Sequence, residues 1–370
     1  MTDIDLGGGR MAIRGVDLDE ISLVPTRRTR DRSLVDLGWE LDAYRLDLPL
    51  LSAPLDAVTS PATAAAIGDL GGLGVLNLEG LWTRYDDPIE VLAEIATLEP
   101  GPDATARLQQ LYDQPVREAL IGQRVEELGR SGYAAGSLTP QKVERYHAAA
   151  LEAGLDVLVV QGVAVTAQQV TPADASAPLD LKSFTARYDI PVVVGGVASG
   201  QAAMHLMRTG AVGILAGIGR SSVSTTHRAL GIGMPRATAI ADVAAARNRY
   251  HLESGRYVQV IASGGLRTGG DVAKAIACGA DAVMVGRALA AAEEAPGDGT
   301  YWGLSAAHHE LPRGRFERVE TRGTLEQLLT GPAHRDDGTV NLFGGLQRAM
   351  AVCGSETLRD LQTVTLAVGG

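Results

Sequence analysis

Hydroxyl side chains crowd a glycine-rich stretch, GIGRSSVSTTHRALGIGMP, between Gly217 and Pro235. Glycines on both sides of such a run are typical of a loop that presents a nucleophile. A serine hydroxyl is a weak nucleophile unless a positioned base takes its proton. The histidine of the stretch, His227, is the candidate base, but that role depends on geometry. The loop therefore raises the question of which group acts as nucleophile.

Glycines that end two predicted neighbouring strands indicate an anion site. Gly264 and Gly265 end one strand and Gly286 ends the next. Positions without a side chain let backbone N–H groups approach a phosphate closely. Arg287 follows directly and could add a charge-assisted hydrogen bond. The alternative is that the glycines only turn the chain. Two adjacent strand ends favour phosphate binding, because barrels hold phosphates there.

Eight short apolar runs are predicted to form strands that are buried on both faces, as in a parallel sheet. Helical patterns closed by glycine lie between most of them. This alternation predicts an α/β protein with one domain over residues 1–370, a (β/α)8 TIM barrel rather than an open doubly wound sheet. GYAAGSL, at 132 to 138, carries the weakest strand signal. The runs are LPLLSAP, LGVLNL, GYAAGSL, DVLVVQG, IPVVVGG, VGILAGIG, VQVIASGG and AVMVG.

An internal repeat supports the barrel. Two strand–helix–strand units carry glycines at the same spacing, and four matching positions at one offset indicate a duplicated unit. Each unit also has an Arg-Tyr pair ahead of its first strand. The first unit has Gly195-Gly196, Gly200, Gly210 and Gly217, and the second has Gly264-Gly265, Gly269, Gly279 and Gly286.

Two segments do not fit the alternation. Residues 98–131 are polar and helical, with a Gly-Pro break, and we expect a surface excursion from the barrel. Residues 297–341 have little strand signal before their helix, and we expect a long flap-like loop above the active face. Adjacent His308 and His309 point apart on any regular element, so a solvated pair is favoured over a metal site.

The composition excludes several classes of protein. The chain has 370 residues, of which 45% are hydrophobic, and a net charge of -11, which disfavours nucleic acid and anionic membranes as partners. Only two cysteines occur, Cys278 and Cys353, so no disulfide framework or zinc spacing is available. No signal-peptide core or apolar run of about 18 residues is present. We expect a cytoplasmic protein.

Several segments, in family order, resemble the IMP dehydrogenase and GMP reductase family. The resemblance implies a (β/α)8 barrel, usually a homotetramer, that binds a purine 5′-monophosphate at the C-terminal strand ends. It also implies paired CBS regulatory domains, which no segment resembles, so a barrel-only branch is expected. The matching segments are DLDEISLVP (17 to 25), PLLSAPLDAVT (49 to 59), GGLGVLN (71 to 77), IPVVVGGVAS (190 to 199), GIGRSSVSTT (217 to 226), IASGGLRTGGDVAKAIACGADAVMVG (261 to 286) and GGLQRAMAVCG (344 to 354).

The resemblance also implies a mechanism. The family's loop cysteine attacks C2 of the purine, hydride passes to NAD, and water hydrolyses the thioimidate. Ser224 stands at the cysteine position in this sequence. A cysteine of pKa about 8.5 has a few per cent thiolate at neutral pH, and a serine does not. Thr226 matches the threonine that assists water activation. His227 takes the place of the family's basic residue.

Three further positions depart from the family. Ser263 replaces the aspartate that holds the ribose hydroxyls. Gln161, followed by Gly162, replaces the aspartate near the nicotinamide, so the NAD half-site is altered. The flap carries no Arg-Tyr pair, for which Arg313 or Arg315 would have to substitute.

The phosphate-holding positions are retained. Ser222 matches a phosphate contact, and Gly264, Gly265 and Gly286 are kept. A monovalent cation, potassium by resemblance, would be bound by the carbonyls of Gly219, Ser221 and Ser224.

Four hypotheses follow. The leading one is a family-related barrel that binds a purine monophosphate of the IMP or GMP type and has lost thiol-based catalysis. The second is an active NAD-dependent IMP dehydrogenase in which water attacks directly with help from Thr226. The third is a regulatory subunit that assembles with an active paralogue. The fourth is an unrelated phosphosugar barrel.

Overall fold

A computed structural model describes residues 3–169, 178–307 and 315–369. Eight parallel strands form its central sheet, in which the second to seventh strands each pair with the next along the chain and the first pairs with the eighth. The strands are β1 Leu50–Ser52, β2 Val75–Asn77, β3 Ala135–Leu138, β4 Val157–Gln161, β5 Val192–Val197, β6 Gly213–Ala216, β7 Gln259–Ser263 and β8 Ala282–Val285.

The sheet closes on itself through Leu73, just before β2. Leu51 forms a parallel bridge with Leu73. The Ser52 N–H donates to the Leu73 carbonyl and the Leu73 N–H donates to the Leu50 carbonyl, both at 2.9 Å. The predicted (β/α)8 barrel is therefore confirmed, including its weakest strand, which is β3.

Burial on both faces explains the apolar strand sequences. Residues 157 to 160 of β4 are at most 1% exposed, and residues 192 to 194 of β5 are fully buried. Removing each such side chain from water stabilises the fold by roughly 1.5–3 kcal/mol. The barrel interior is thus a packed core, and the functional groups must lie at its rim.

Helices surround the strands, and each strand is followed by at least one of them. The first is capped by Ser60, whose hydroxyl accepts the Thr63 N–H at 3.0 Å. No helix in the described part of the chain is long and apolar enough to cross a bilayer. The helices are α1 Pro61–Asp69, α2 Pro88–Ala96, α3 Pro102–Tyr112, α4 Glu118–Gly129, α5 Val143–Glu152, α6 Leu181–Arg187, α7 Gly200–Met207, α8 Thr226–Leu230, α9 Arg236–Ser254, α10 Gly269–Ala277, α11 Leu325–Leu329, α12 Leu342–Cys353 and α13 Leu358–Leu361.

Short elements decorate the ends of the barrel. The additional strands are Asp3–Asp5, Met11–Ile13, Ile21–Leu23, Trp39–Leu41, Tyr44–Leu46, Thr300–Trp302, Phe316–Arg318 and Leu366–Val368. The 3₁₀ helices are Leu18–Glu20, Arg32–Leu34, Leu81–Thr83, Leu289–Ala291 and Leu304–Ala307.

One matched pair of the repeated glycines, Gly200 and Gly269, has equivalent packing roles. A Cβ on Gly200 would lie 2.7 Å from the carbonyl oxygen of Asp242, and one on Gly269 would lie 2.7 Å from that of Leu342. Each glycine therefore lets the first turn of its helix, α7 or α10, touch the backbone of another helix of the outer ring. This part of the spacing detected in the sequence corresponds to a shared contact.

The segment 98–131 differs from the expected surface excursion over its second half. It forms α3 and α4, and α4 contacts α1 and α5. Ile121 and Val125 of α4 are fully buried. Helix α4 is thus the barrel helix between β2 and β3, because its apolar side chains face the sheet while its many charged residues face outward.

The segment 297–341 also contains more structure than the expected loop. Thr300–Trp302 pairs antiparallel with Phe316–Arg318. We call this pair the rim hairpin. It lies over the hydroxyl-rich loop, since the Arg315 N–H donates to the Val223 carbonyl at 2.8 Å. His308, His309 and Arg313 lie outside the described residues.

Gly74, the residue directly before β2, packs closely against the backbone of α1, and this contact gives a stability prediction. A Cβ on Gly74 would lie 2.5 Å from the Ala64 Cβ, and closer still to its Cα. We expect Gly74→Ala to lower the free energy of unfolding by about 1–3 kcal/mol, because overpacking shifts the backbone. Gly129→Ala is the control, since a Cβ there would meet nothing within 4 Å. Urea denaturation measures the stability of both variants. Equal unfolding midpoints for Gly74→Ala and Gly129→Ala would contradict this packing.

Candidate functional site

The two predicted anion-binding strand ends are neighbours. Ser263 of β7 pairs with Met284 of β8. The glycines that follow these strands, Gly264-Gly265 and Gly286, therefore emerge side by side at the C-terminal rim of the barrel. The adjacency inferred from the sequence is confirmed.

Gly264 and Gly265 seat the hydroxyl-rich loop. Both have positive φ, of 98° and 73°. A Cβ on Gly265 would lie 2.7 Å from the Arg220 carbonyl oxygen, and one on Gly264 would lie 3.5 Å from the Ser221 nitrogen. Both glycines therefore turn the chain, as one of the two alternatives for them proposed. The lack of a side chain at each lets the loop lie across the end of β7.

A carboxylate from the rim hairpin occupies the centre of the site. Ser222 Oγ donates to Glu317 Oε1 at 2.6 Å. Arg287 Nε donates to the same oxygen at 2.9 Å. The side chains of Arg287 and Glu317 are 30% and 24% exposed, so the pair is only partly screened by water. The two groups predicted to hold phosphate therefore already hold an anion.

Tyr301 completes this cluster. It is the cross-strand partner of Glu317 in the rim hairpin. Its hydroxyl lies 2.7 Å from the position of a Cβ on Gly286 and 3.5 Å from Ser221 Oγ. Burial raises the pKa of Tyr301 to about 12. The phenol therefore stays protonated at neutral pH and can donate a hydrogen bond.

The Glu317 carboxylate thus accepts hydrogen bonds from Ser222 and Arg287. Tyr301 pairs with Glu317 across the hairpin, and Ser221 lies beside the Tyr301 hydroxyl. We call the set Ser221, Ser222, Arg287 and Tyr301 the rim anion cluster. Neutral hydroxyls beside a guanidinium are typical ligands of phosphate and carboxylate oxygens. Sequence reasoning missed Tyr301 and Glu317. No motif marked either, because both lie in a segment with little strand signal.

Ser224, which stands at the predicted nucleophile position, is hydrogen-bonded to a hydroxyl in the described structure. Ser224 Oγ donates to Thr226 Oγ1 at 3.2 Å and lies 3.4 Å from the Thr226 nitrogen. His227 is exposed, and within the described ranges no imidazole or carboxylate is hydrogen-bonded to Ser224. The described geometry gives no support to His227 as base, because the His227 ring lies against Gly233.

Gln161 lies elsewhere on the rim. It ends β4, which β5 and β6 separate from β7. Its Oε1 is buried without a hydrogen-bond partner in the described structure. Gly162 exchanges backbone hydrogen bonds with Gly195 and Gly196 at 2.9 and 3.2 Å. A buried acceptor without a donor fits a ligand hydroxyl or amide N–H, groups that a nicotinamide dinucleotide carries.

The proposed cation ligands lie within one loop. The Ser221 carbonyl accepts the Ser224 N–H at 3.0 Å. Gly219 has a φ of 74°. Its backbone lies close to His227 and Ile232. Backbone carbonyls are oxygen donors of the kind that hard cations take, so the donor chemistry fits.

A buried carboxylate connects the rim hairpin to the loop after β1. Asp56 is 2% exposed and accepts a hydrogen bond from the Tyr112 hydroxyl. Trp302 Nε1 donates to the same hydroxyl at 3.0 Å. Asp56 Oδ1 has no partner in the part of the chain that is described. Burial raises the pKa of Asp56 to about 6.

Comparison with known proteins gives consistent results. The family model described as "IMP dehydrogenase / GMP reductase domain" matches residues 15–368. An uncharacterized oxidoreductase of Mycolicibacterium smegmatis is 46% identical and aligns over 99% of this chain and 100% of its own. The inosine-5′-monophosphate dehydrogenase of Yersinia pestis is 28% identical over 96% and 93% of the two chains.

A solved structure has the same architecture. It is the crystal structure of an IMP dehydrogenase/GMP reductase-like protein from Corynebacterium glutamicum, with a TM-score of 0.93 and 44% sequence identity. The match covers 99% of this chain and 98% of that one.

Burial of Asp56 makes stability depend on pH. Because its folded pKa of about 6 exceeds the ordinary carboxyl pKa of 3.8, the stabilising effect of its neutral form is complete below pH 4 and is lost as the pH rises through 6. We expect Asp56→Asn to be more stable than the wild type at pH 8, by up to about 3 kcal/mol, and to lose this advantage near pH 4.

Urea denaturation across this pH range provides the measurement. Asp189→Asn, which changes an exposed carboxylate, is the control and should show no such crossover. A difference between wild type and Asp56→Asn that is constant with pH would contradict the burial argument.

Proposed function

The chain belongs to the IMP dehydrogenase / GMP reductase family, and we propose that it binds a purine 5′-monophosphate at the C-terminal ends of β7 and β8 without thiol-based catalysis. One observation carries the proposal. Ser222 and Arg287 donate to a single carboxylate oxygen at 2.6 and 2.9 Å, beside a loop that has serine at the nucleophile position.

The chemistry of the rim anion cluster supports a phosphate as the ligand. Arg287 supplies a permanent positive charge, and hydrogen bonds to charged groups are stronger than neutral ones. The Ser222 and Tyr301 hydroxyls supply directional donors. A phosphate monoester oxygen accepts the same hydrogen bonds as the Glu317 carboxylate.

The environment of Ser224 supports the loss of covalent chemistry. Its hydroxyl donates to Thr226 Oγ1, which is itself a hydroxyl and not a base. NAD, when bound, would accept a hydride from the purine, and Gln161 offers an acceptor for a hydroxyl or amide of that cofactor. Thr226 is 8% exposed and would orient a water molecule rather than activate Ser224.

Two alternatives remain as proposals. An active NAD-dependent IMP dehydrogenase would need direct attack by water with help from Thr226, and a relative named as an oxidoreductase favours it. A regulatory subunit would form mixed assemblies with an active paralogue, detectable on copurification. Family membership argues against the unrelated phosphosugar barrel.

Assembly, cation and location are also proposals. By family resemblance we propose a homotetramer in the cytoplasm, with potassium bound by the carbonyls of Gly219, Ser221 and Ser224. Both cysteines are buried thiols, as suits a reducing compartment.

Ligand binding should stabilise the native state. We expect millimolar IMP or GMP to raise the Tm of the wild type by a few degrees, because a ligand that binds only the folded state shifts unfolding. Arg287→Ala should abolish this increase, since it removes the positive charge of the site.

Thermal unfolding with and without nucleotide makes this test. Arg249→Ala, which removes an exposed arginine of α9, should retain the full increase. The absence of a shift with any purine monophosphate would remove the proposal.

Catalysis provides a second test. We expect the wild type to form no NADH from IMP, NAD and potassium above background, and Ser224→Cys to form at least about ten times more, because a thiol is partly ionised at neutral pH. Absorbance of NADH measures the rate. Sustained wild-type turnover that is lost in Ser222→Ala would favour the active dehydrogenase. Equal rates of NADH formation for the wild type and Ser224→Cys would place the catalytic defect at Gln161 or Ser263 instead.

A further inference from the structure

Glu317 lies where the phosphate of a ligand is expected. We propose that Glu317 is an intramolecular competitor for that phosphate, so that a phosphate-bearing ligand binds only when the Glu317 side chain withdraws. This inference rests on the proposed function. It means that the Glu317 carboxylate lowers the affinity of the site for phosphate.

The contacts make the two anions mutually exclusive. Both donors converge on one atom, Glu317 Oε1, at 2.6 Å from Ser222 Oγ and 2.9 Å from Arg287 Nε. A phosphate oxygen that took the hydrogen bonds of both Ser222 Oγ and Arg287 Nε would need that same position. Two oxygen atoms cannot share the position, so one anion must leave.

Charge leads to the same conclusion. Arg287 is ion-paired with Glu317, and in the described structure no second cation is paired with that carboxylate. A phosphate dianion added beside Glu317 would place about three negative charges around one guanidinium. Like charges at hydrogen-bond distances repel strongly in a partly buried site. Withdrawal of Glu317 removes one of these negative charges from the site.

The rim hairpin allows this withdrawal without unfolding. Its backbone is held by pairing of Tyr301 with Glu317 and by stacking of Trp302 on Phe316, with ring centroids 6.1 Å apart. The Glu317 side chain is 24% exposed, so it has a route to solvent. The hairpin can therefore stay in place while the carboxylate rotates out.

Removal of the competing charge should therefore tighten phosphate binding. When a binding-competent state is only partly populated, the apparent affinity falls by that fraction. We expect Glu317→Gln, which keeps the shape of the side chain, to bind IMP and inorganic phosphate at least about tenfold more tightly than the wild type. Glu317→Ala should behave in the same way.

Isothermal titration at constant ionic strength measures the dissociation constants. Glu320→Gln is the matched control, because it removes one charge from the same segment at a carboxylate that is 65% exposed and ion-paired at the surface. Its affinity for IMP should equal that of the wild type. Inosine, which lacks the phosphate, should bind the wild type and Glu317→Gln equally.

The outcomes separate this inference from the proposed function. If the wild type binds IMP and neither Glu317 variant binds it more tightly, Glu317 does not compete and the proposed function still stands. A gain that is equally large for inosine would also overturn the inference, because it would not involve phosphate. If no protein binds any phosphate-bearing ligand, both fail.

Discussion

The positive charge of Arg287 at the end of β8 is the constraint on which the rest of the site depends. A guanidinium that is only 30% exposed needs an anionic partner close by, because desolvation penalises an unpaired charge. Glu317 meets that need in the described structure. The rim hairpin, the hydroxyl-rich loop and the ends of β7 and β8 are all arranged around this one ion pair.

Barrel geometry brings the partners together. Parallel strands end at a common rim, so the glycines after β7 and β8 become neighbours although 20 residues separate Gly265 and Gly286 in sequence. The missing side chain of Gly265 admits the Arg220 backbone, which carries Ser221 and Ser222 to the rim. The loop thus reaches Arg287 because small residues let backbone pack on backbone. Chemistry that needs Ser224 as a nucleophile finds no such support among the described residues, where the Ser224 hydroxyl is hydrogen-bonded to Thr226.

Local patterns were enough to predict the strands and the neighbouring strand ends, because apolar runs and glycine spacing report directly on buried parallel strands. They could not reveal Glu317 or Tyr301. Those residues face the site through pairing of two three-residue strands, which are too short to show alternation. The role of His227 could not be decided from the sequence for a related reason, because closeness in sequence to Ser224 does not determine where a ring points. The charged surface of α4 likewise concealed a helix whose other face is buried.

A crystal structure of the wild-type protein grown with IMP would test the central claim most directly. The account predicts that the phosphate lies within hydrogen-bond distance of Ser222 Oγ and the Arg287 guanidinium, and that the Glu317 carboxylate has moved away from both. A phosphate bound elsewhere, with the hydrogen bond from Ser222 to Glu317 intact, would contradict it.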